Sequence, residues 1–337
     1  MAENLTEAIR KLLDKAQGKV VDYAYIRNEL QIDQSTPAWE NVRKVMERLV
    51  VEKIVRPTGQ RNGTYKVVTQ VKPVSVFGKD RERKPPFRLY FPKDRDTEEE
   101  ISPAEDIVIR EGDIVTIGGV SNFGKTAIAL NFCGENIDYG PILMGNEYTT
   151  RVEDTDEYEP TPRFLNRLDN MTWVNWTNGT GEDKFTLLPV SDDYAEHVKK
   201  DKINIIDWVN LDADKSYGIS RLSEDVKAEH GGGITIIVLQ KDEFSPRARG
   251  GQYTKDFTDC ELLIDKYTDT ESMITIGKVK EYTRPVMGRT FAFGIEKGVK
   301  IINYREIVKC PTCFGKKWKK QGNGSVPCDC MTGYIEK

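Results

Sequence analysis

Gly119-Val120-Ser121-Asn122-Phe123-Gly124-Lys125-Thr126 satisfies every specified position of the pattern G-x-x-x-x-G-K-[ST]. Its surroundings agree with it. Asp113 to Ile117 reads as a strand leading in, and Ala127 to Phe132 as a helix leading out, which sets a helix amino terminus where an anion binds. The glycines let backbone N–H groups turn inward around phosphates, Lys125 brings positive charge to the β/γ position, and the Thr126 hydroxyl is a magnesium ligand. Gly119 through Ala127 are therefore the expected contacts to ATP and Mg2+.

A phosphate loop of this kind needs a second carboxylate at the end of another strand to hold the magnesium and its water. Asp207, closing the apolar run Ile203-Asn204-Ile205-Ile206, supplies it. Hydrolysis needs a group to orient the attacking water. Glu147 follows the strand-like Ile142 to Met144, with Asp242 or Glu243 as rivals after the run Ile234 to Leu239. Together with Ile114 to Ile117, Leu262 to Ile264 and Met273 to Ile276, these short continuous apolar runs suit strands buried on both faces. The expected core, residues 106–306, is thus an α/β sheet that is mostly parallel, with its site at the carboxyl ends of the strands.

A chain of 337 residues accommodates such a core plus smaller attachments. Charged residues make up 31% and the hydrophobic set 38%, a globular balance, and no apolar run is long enough to span a bilayer. Met1 to Lys15 lacks the apolar stretch of a secretory signal, so a cytoplasmic protein is expected. The net charge of -4 excludes a wholly basic nucleic-acid coat but leaves room for local basic patches.

Residues 1–70 carry such patches. Leu5, Ile9, Leu12 and Leu13 share a helical face, Tyr25, Ile26 and Leu30 begin a second helix, and Val42, Val45, Met46, Leu49 and Val50 line a third, entered through Ser35, Thr36 and Pro37. Ile54 and Val55, the turn-rich Gly59 to Gly63 and the strand-like Tyr65 to Val68 then form a hairpin. Three helices and a two-stranded wing are the order of a winged helix, with Arg43, Lys44 and Arg48 on the third helix and Arg56, Arg61 and Lys66 on the wing as candidate DNA contacts. Residues 71–105, rich in charge and proline, read as a linker, with a basic stretch from Lys79 to Lys84.

Residues 307–337 hold four of the six cysteines. Cys310-Pro-Thr-Cys313 and Cys328-Asp-Cys330 are a C-x2-C and a C-x-C that can close a tetrahedral Zn2+ site, and so short a tail has too little core to fold without one. Lys317, Trp318 and Lys319 between the pairs, flanked by Phe314, suit a phosphate backbone and a stacked base. Cys133 and Cys260 read as packing residues, and His197 and His230 as helix-surface residues.

The order of these elements from Ile107 to Asn303 resembles the RecA-like ATPases, and within them the DnaB-type hexameric replicative helicases and their phage relatives. The resemblance implies a catalytic Glu147, a magnesium-binding Asp207 and a polar sensor at Gln240. It also implies a DNA-contacting loop from Phe244 to Phe257 with Arg247, Arg249 and Lys255. In that family a Lys-x-Arg pair reaches the nucleotide of the adjacent subunit. This chain has Lys278-Val279-Lys280, which keeps the charge and loses the planar fork, with Arg284 and Arg289 close behind. The expected function is a DNA-dependent ATPase, a helicase or translocase working as a ring or filament of identical subunits in replication or recombination. An ATP-switched DNA-binding regulator or helicase loader and a filament-forming recombinase are the alternatives.

Overall fold

A computed structural model describes residues 2–33, 35–59, 61–69, 88–101, 103–209, 216–242, 245–321 and 324–337. The basic stretch Lys79 to Lys84, Glu243 and Phe244 lie outside the described residues. The chain divides into two compact units, Met1–Arg83 and Lys84–Lys337.

The first unit runs α1 (Ala2–Lys15), β1 (Val20–Asp22), α2 (Tyr23–Leu30), α3 (Pro37–Val51), β2 (Val55–Pro57) and β3 (Thr64–Val67). Asp22 starts α2 by accepting a hydrogen bond from the Tyr25 N–H at 2.8 Å, and Pro37 starts α3, where its missing donor costs nothing. The apolar faces of the three helices close on one core containing Ile9, Leu13, Ile26, Val42, Met46 and Leu49. β1 pairs with β3 and makes the hairpin a three-stranded sheet, with Val21 opposite Tyr65. Three residues are too few to show a period, so this strand is not readable from sequence.

The second unit runs β4 (Ile114–Gly119), α4 (Lys125–Glu135), β5 (Ile142–Met144), β6 (Thr149–Arg151), β7 (Tyr158–Pro160), α5 (Pro162–Asn170), β8 (Thr186–Leu188), α6 (Tyr194–His197) and β9 (Ile203–Val209). It continues through α7 (Ser216–Glu229), β10 (Ile234–Gln240), α8 (Gln252–Phe257), β11 (Cys260–Lys266), β12 (Glu271–Val279), β13 (Thr290–Glu296) and β14 (Lys300–Lys309). It ends in β15 (Trp318–Gln321), β16 (Gly324–Pro327) and β17 (Tyr334–Glu336). Ten strands form one sheet in the order β17-β14-β13-β12-β11-β4-β10-β9-β5-β8.

The expectation of a mostly parallel sheet needs correction. From β11 to β8 every pairing is parallel, but β12, β13, β14 and β17 are antiparallel to their neighbours, so the sheet is mixed. The cause is local. The connections from β11 to β12 and from β13 to β14 are a few residues long, which permits a hairpin and forbids a crossover helix.

Residues along the central strands alternate between two apolar layers. Ile236 and Val238 face Ile128, Leu130 and Phe132 of α4, while Ile237 and Leu239 face Ile219 and Val226 of α7. Burial on both faces is what the continuous apolar runs require. The described part of the expected linker is not a tether: Leu89, Phe91 and Ile101 are buried in the first layer, and Phe91 packs on Phe132 with ring centroids 5.3 Å apart. The expected boundary at residue 307 falls inside β14, and β17 returns to pair with that strand, Val308 opposite Ile335.

Candidate functional site

The carboxyl ends of four adjacent parallel strands meet in one place. Gly119 ends β4 opposite Gln240 of β10, Ile237 of β10 lies opposite Ile206 of β9, and Met144 of β5 is opposite the same Ile206. The loop after β4 turns at Asn122 and Gly124, both at positive φ of 66° and 97°. The φ of 97° at Gly124 is one that L side chains rarely adopt, and a Cβ there would also press on the Ile295 Cδ1 of β13 at 2.2 Å. Gly145 answers a similar demand after β5, because a Cβ there would lie 2.0 Å from the Asp207 carbonyl oxygen. That close approach brings Asn146 and Glu147 beside the end of β9.

Lys125 begins α4 and is buried; its Nζ donates to the Val120 carbonyl oxygen at 2.9 Å. Burial draws its pKa down, against the nearby Asp207 and Glu147, which push it up. Asp207 is 2% exposed, and burial raises its pKa above the ordinary aspartate value, offset in part by Tyr148, Thr126 and Lys125 and reinforced by Glu147. One of its oxygens accepts from the Tyr148 hydroxyl, while Oδ1 is buried with no hydrogen-bond partner. A buried carboxylate oxygen without a donor, beside a threonine hydroxyl, is the donor set a hard cation such as Mg2+ takes. Glu147 is exposed, and its Oε1 accepts from the Trp208 indole N–H at 2.7 Å. Gln240 reaches across to the loop, its Nε2 donating to the Ser121 hydroxyl at 2.6 Å.

A cleft of about 480 Å³ is lined by Asn122, Gly124, Lys125, Thr126 and Glu147; Asp207 and Gln240 lie behind these and do not line it themselves. The lining also includes two residues that sequence reasoning missed, Arg163 and Arg167 of α5. The hairpin β6–β7 carries the chain away after Tyr148, and the Thr161 N–H returns it by donating to the Tyr148 carbonyl at 2.8 Å. Thr161 caps α5, and the buried Phe164 ring packs on Tyr148 with centroids 4.8 Å apart. The four-residue spacing of the arginines, which puts them on one helix face, was the available signal. A larger cavity, about 680 Å³, is lined by Asp192, Asp193, Glu196, Asp225 and Glu229 against Arg221, the wrong charge for a polyphosphate. Asp242, the rival to Glu147, is not among the residues lining the cleft at Lys125.

Lys278 and Lys280 are not brought to this cleft. β12 runs antiparallel to β11, with Lys278 opposite Glu261 and Val279 opposite Cys260, so both lysines sit toward the amino ends of the parallel strands. Lys278 donates to the Lys255 carbonyl at 2.6 Å, and Lys280 pairs with Asp259 at 2.8 Å. Arg284 is held by Asp106 and Glu105, and Arg289 by Glu306. Within one chain none of the four lines the cleft at Lys125.

The loop between β10 and β11 does lie at the carboxyl end, where Ala248 packs on Gly118. It leaves Arg247 exposed and Arg249 half-buried there, whereas the half-buried Lys255, in α8, has come back to the amino ends beside Lys278. In the first unit Arg43, Lys44 and Arg61 are exposed, whereas Arg48 donates to Thr6 at 2.8 Å and lies near Glu52. His230, expected on a helix surface, is 1% exposed and bonds Thr235 at 3.1 Å.

The four tail cysteines converge, with all sulfurs within 4.8 Å of one another. Cys310 and Cys328 are 3.8 Å apart and Cys313 and Cys330 3.5 Å. A tetrahedron of ~2.3 Å metal–sulfur bonds has edges of about 3.8 Å, whereas a disulfide brings sulfurs to about 2.05 Å. The cluster is therefore shaped to bind a metal ion such as zinc. Backbone N–H groups of Cys313 and Thr312 lower the Cys310 thiol to about 6, while burial and the neighbouring cysteines push Cys330 up to about 12. Trp318 and Phe314 project nearby, 55% and 71% exposed; Lys317 is exposed, and Lys319 pairs with Asp329 at 2.5 Å.

Among the described residues no helix is long and apolar enough to cross a membrane. No protein-family model matches the chain, and no curated protein is detectably similar to it.

Proposed function

We propose that the chain is a P-loop ATPase with a RecA-like core, most similar to DnaB-type helicases and their phage relatives, whose ATP hydrolysis is coupled to DNA. One observation carries the reading: Lys125, Thr126, Asp207, Glu147 and Gln240, spread over 116 residues of sequence (125–240), come together at the carboxyl ends of four neighbouring parallel strands. That is where an open α/β sheet binds its ligand, and the orphaned Asp207 Oδ1 gives the meeting point a use.

In this reading the loop N–H groups and Lys125 hold the phosphates, and Thr126 and Asp207 hold magnesium. When bound, the magnesium neutralises phosphate charge and orients the terminal phosphate for in-line attack. Glu147, steadied by the Trp208 indole, accepts the proton of the attacking water. Gln240 ties the loop to β10 through Ser121, so a change at the phosphates is passed to the segment bearing Arg247 and Arg249. The first unit is then a winged helix with Arg43, Lys44 and Arg61 free for phosphates. The cysteine module holds zinc and offers Lys317 and Trp318 to a single strand. Identical subunits assemble into a ring or filament.

The test is the rate of ATP hydrolysis without nucleic acid and with single-stranded DNA, duplex DNA or RNA. Stimulation by DNA of at least about tenfold is expected, and Lys125→Ala abolishes turnover. Turnover that survives Lys125→Ala removes the ATPase assignment; a rate indifferent to DNA removes the coupling.

A further inference from the structure

The geometry points to Arg163 and Arg167 as a clamp on the terminal phosphate supplied by the same chain as the loop, making the site selective for a nucleoside triphosphate over a diphosphate. This rests on the ATPase reading above and extends it to residues that reading did not use.

Among the described residues, neither guanidinium has a carboxylate partner or another hydrogen bond, although arginines elsewhere in this unit are paired. Arg95 is held by Glu98 and Glu135, Arg110 by Glu281, Arg289 by Glu306 and Arg305 by Glu271. Arg163 and Arg167 both line the same cleft as Lys125 and Thr126. They are also the ones whose helix is fastened to the site. Phe164, between them, packs on Tyr148, and Tyr148 bonds Asp207, so α5 is tied to the magnesium carboxylate through a single side chain. Arg167 lies close enough to lower the Tyr148 pKa against its burial, and its Nε is near Gly298 of the β13–β14 turn over the loop.

Charge balance decides what such a pair is for. A triphosphate brings roughly four negative charges, and Lys125 with a divalent cation offsets about three of them. A diphosphate brings roughly three, one fewer for the site to offset. The surplus of the triphosphate sits on its terminal phosphoryl oxygens, and planar guanidiniums are suited to bind them bidentately. Lys278, Lys280, Arg284 and Arg289 are spent on partners of their own at other places. Within one chain, Arg163 and Arg167 are thus the cations left to meet the terminal phosphate.

The experiment measures binding of Mg–ATPγS and Mg–ADP to the full chain by calorimetry, for wild type, Arg163→Gln, Arg167→Gln, the double variant and Lys125→Ala. The double variant is expected to lose at least about tenfold in affinity for ATPγS and less than about twofold for ADP, with retained ADP binding certifying the fold. An unchanged ATPγS-to-ADP ratio in the double variant, with binding lost in Lys125→Ala, overturns the clamp and leaves the ATPase reading standing. Wild type that binds neither nucleotide overturns both. A mixing assay separates same-chain from neighbour action. Lys125→Ala chains, which keep both arginines, fail to restore turnover to the double variant if the clamp acts within its own chain, and restoration sinks that part of the inference.

Discussion

Two aspartates of the main unit are buried to almost the same depth, Asp207 at 2% and Asp259 at 3% exposure, yet their surroundings are opposite. Asp259 precedes β11 at the amino ends of the parallel strands and has its oxygens fully engaged. It accepts from Lys227 at 3.0 Å, from Lys280 at 2.8 Å and from the Ile114 N–H at 2.8 Å. Asp207, at the carboxyl end of β9, has one oxygen bonded to Tyr148 and the other to nothing. Burial alone would raise both pKa values. The lysines and the N–H reverse that for Asp259 and hold it below the ordinary value, while Asp207 stays above it. A buried carboxylate that is completely satisfied braces the sheet; one that is half satisfied, beside Lys125 and Thr126, has an oxygen left over for a ligand, the role proposed for it above.

The largest effect that can break this contrast is on stability. Asp259→Ala removes three hydrogen bonds and leaves the Ile114 N–H buried without an acceptor. Because Lys227 and Lys280 reach solvent, the loss is expected to be about 2–3 kcal/mol, dominated by the charge-assisted bond to that N–H. Urea unfolding measures it. The pH dependence follows from the sign of the shift. With its folded pKa depressed, Asp259 contributes fully above 3.8, its ordinary value, and that contribution disappears as pH falls through the folded value. The penalty of the substitution should therefore shrink on acidification. A loss that does not change between neutral pH and pH 3 would show that Asp259 is no brace.

Asp207→Asn is predicted to act in the other direction. A raised folded pKa means that stability is present at low pH and lost as pH rises through the folded value, so the ionised carboxylate costs stability at neutral pH. Removing the charge should raise Tm in metal-free buffer by roughly 2–4 °C, the equivalent of about 1 kcal/mol in a unit of this size, while abolishing ATP turnover. The gain fades toward acid pH, where the wild-type carboxyl is also neutral. Differential scanning calorimetry at pH 7.5 and pH 4, set beside an ATPase assay, decides between this outcome and a plain structural aspartate, which would lose stability at neutral pH.

The two aspartates also mark what can be read from sequence. Asp207 is legible because it closes a continuous apolar run, a pattern that needs no knowledge of distant residues. The loop from Gly119 to Thr126 is legible for a related reason: the positions that its pattern specifies lie within eight contiguous residues. The cysteines announce themselves by spacing. Asp259 is not legible, because its partners lie 32 and 21 residues away on α7 and just beyond β12, and only the folded sheet brings them to it. Arg163 and Arg167 are hidden by the β6–β7 hairpin, which separates them from Glu147 and lets them pass for solvated helix charges. The antiparallel half escapes for a subtler reason. Phe291-Ala292-Phe293 is buried on both faces, so its apolar run looks like that of a parallel strand; only the tight turn at Lys297-Gly298, at φ of 50° and 74°, shows that β13 doubles back.

Lys280 offers the finest division between the two ends of the sheet, because it serves Asp259 here and is expected by resemblance to reach a neighbour's nucleotide. The side chain is 66% exposed, so its ion pair is screened and contributes little, about 0.5 kcal/mol or less. Lys227 and the Ile114 N–H remain to hold Asp259 when it is gone. Lys280→Gln should therefore leave the urea midpoint almost unmoved. If the lysine acts only as a brace, turnover stays within about twofold of wild type. If it crosses to an adjacent subunit, turnover falls tenfold or more while stability is unchanged, and the fall deepens with dilution as assemblies come apart. A dilution series of ATPase rate for Lys280→Gln against wild type reads that difference, and it does so at a residue whose removal barely disturbs the fold.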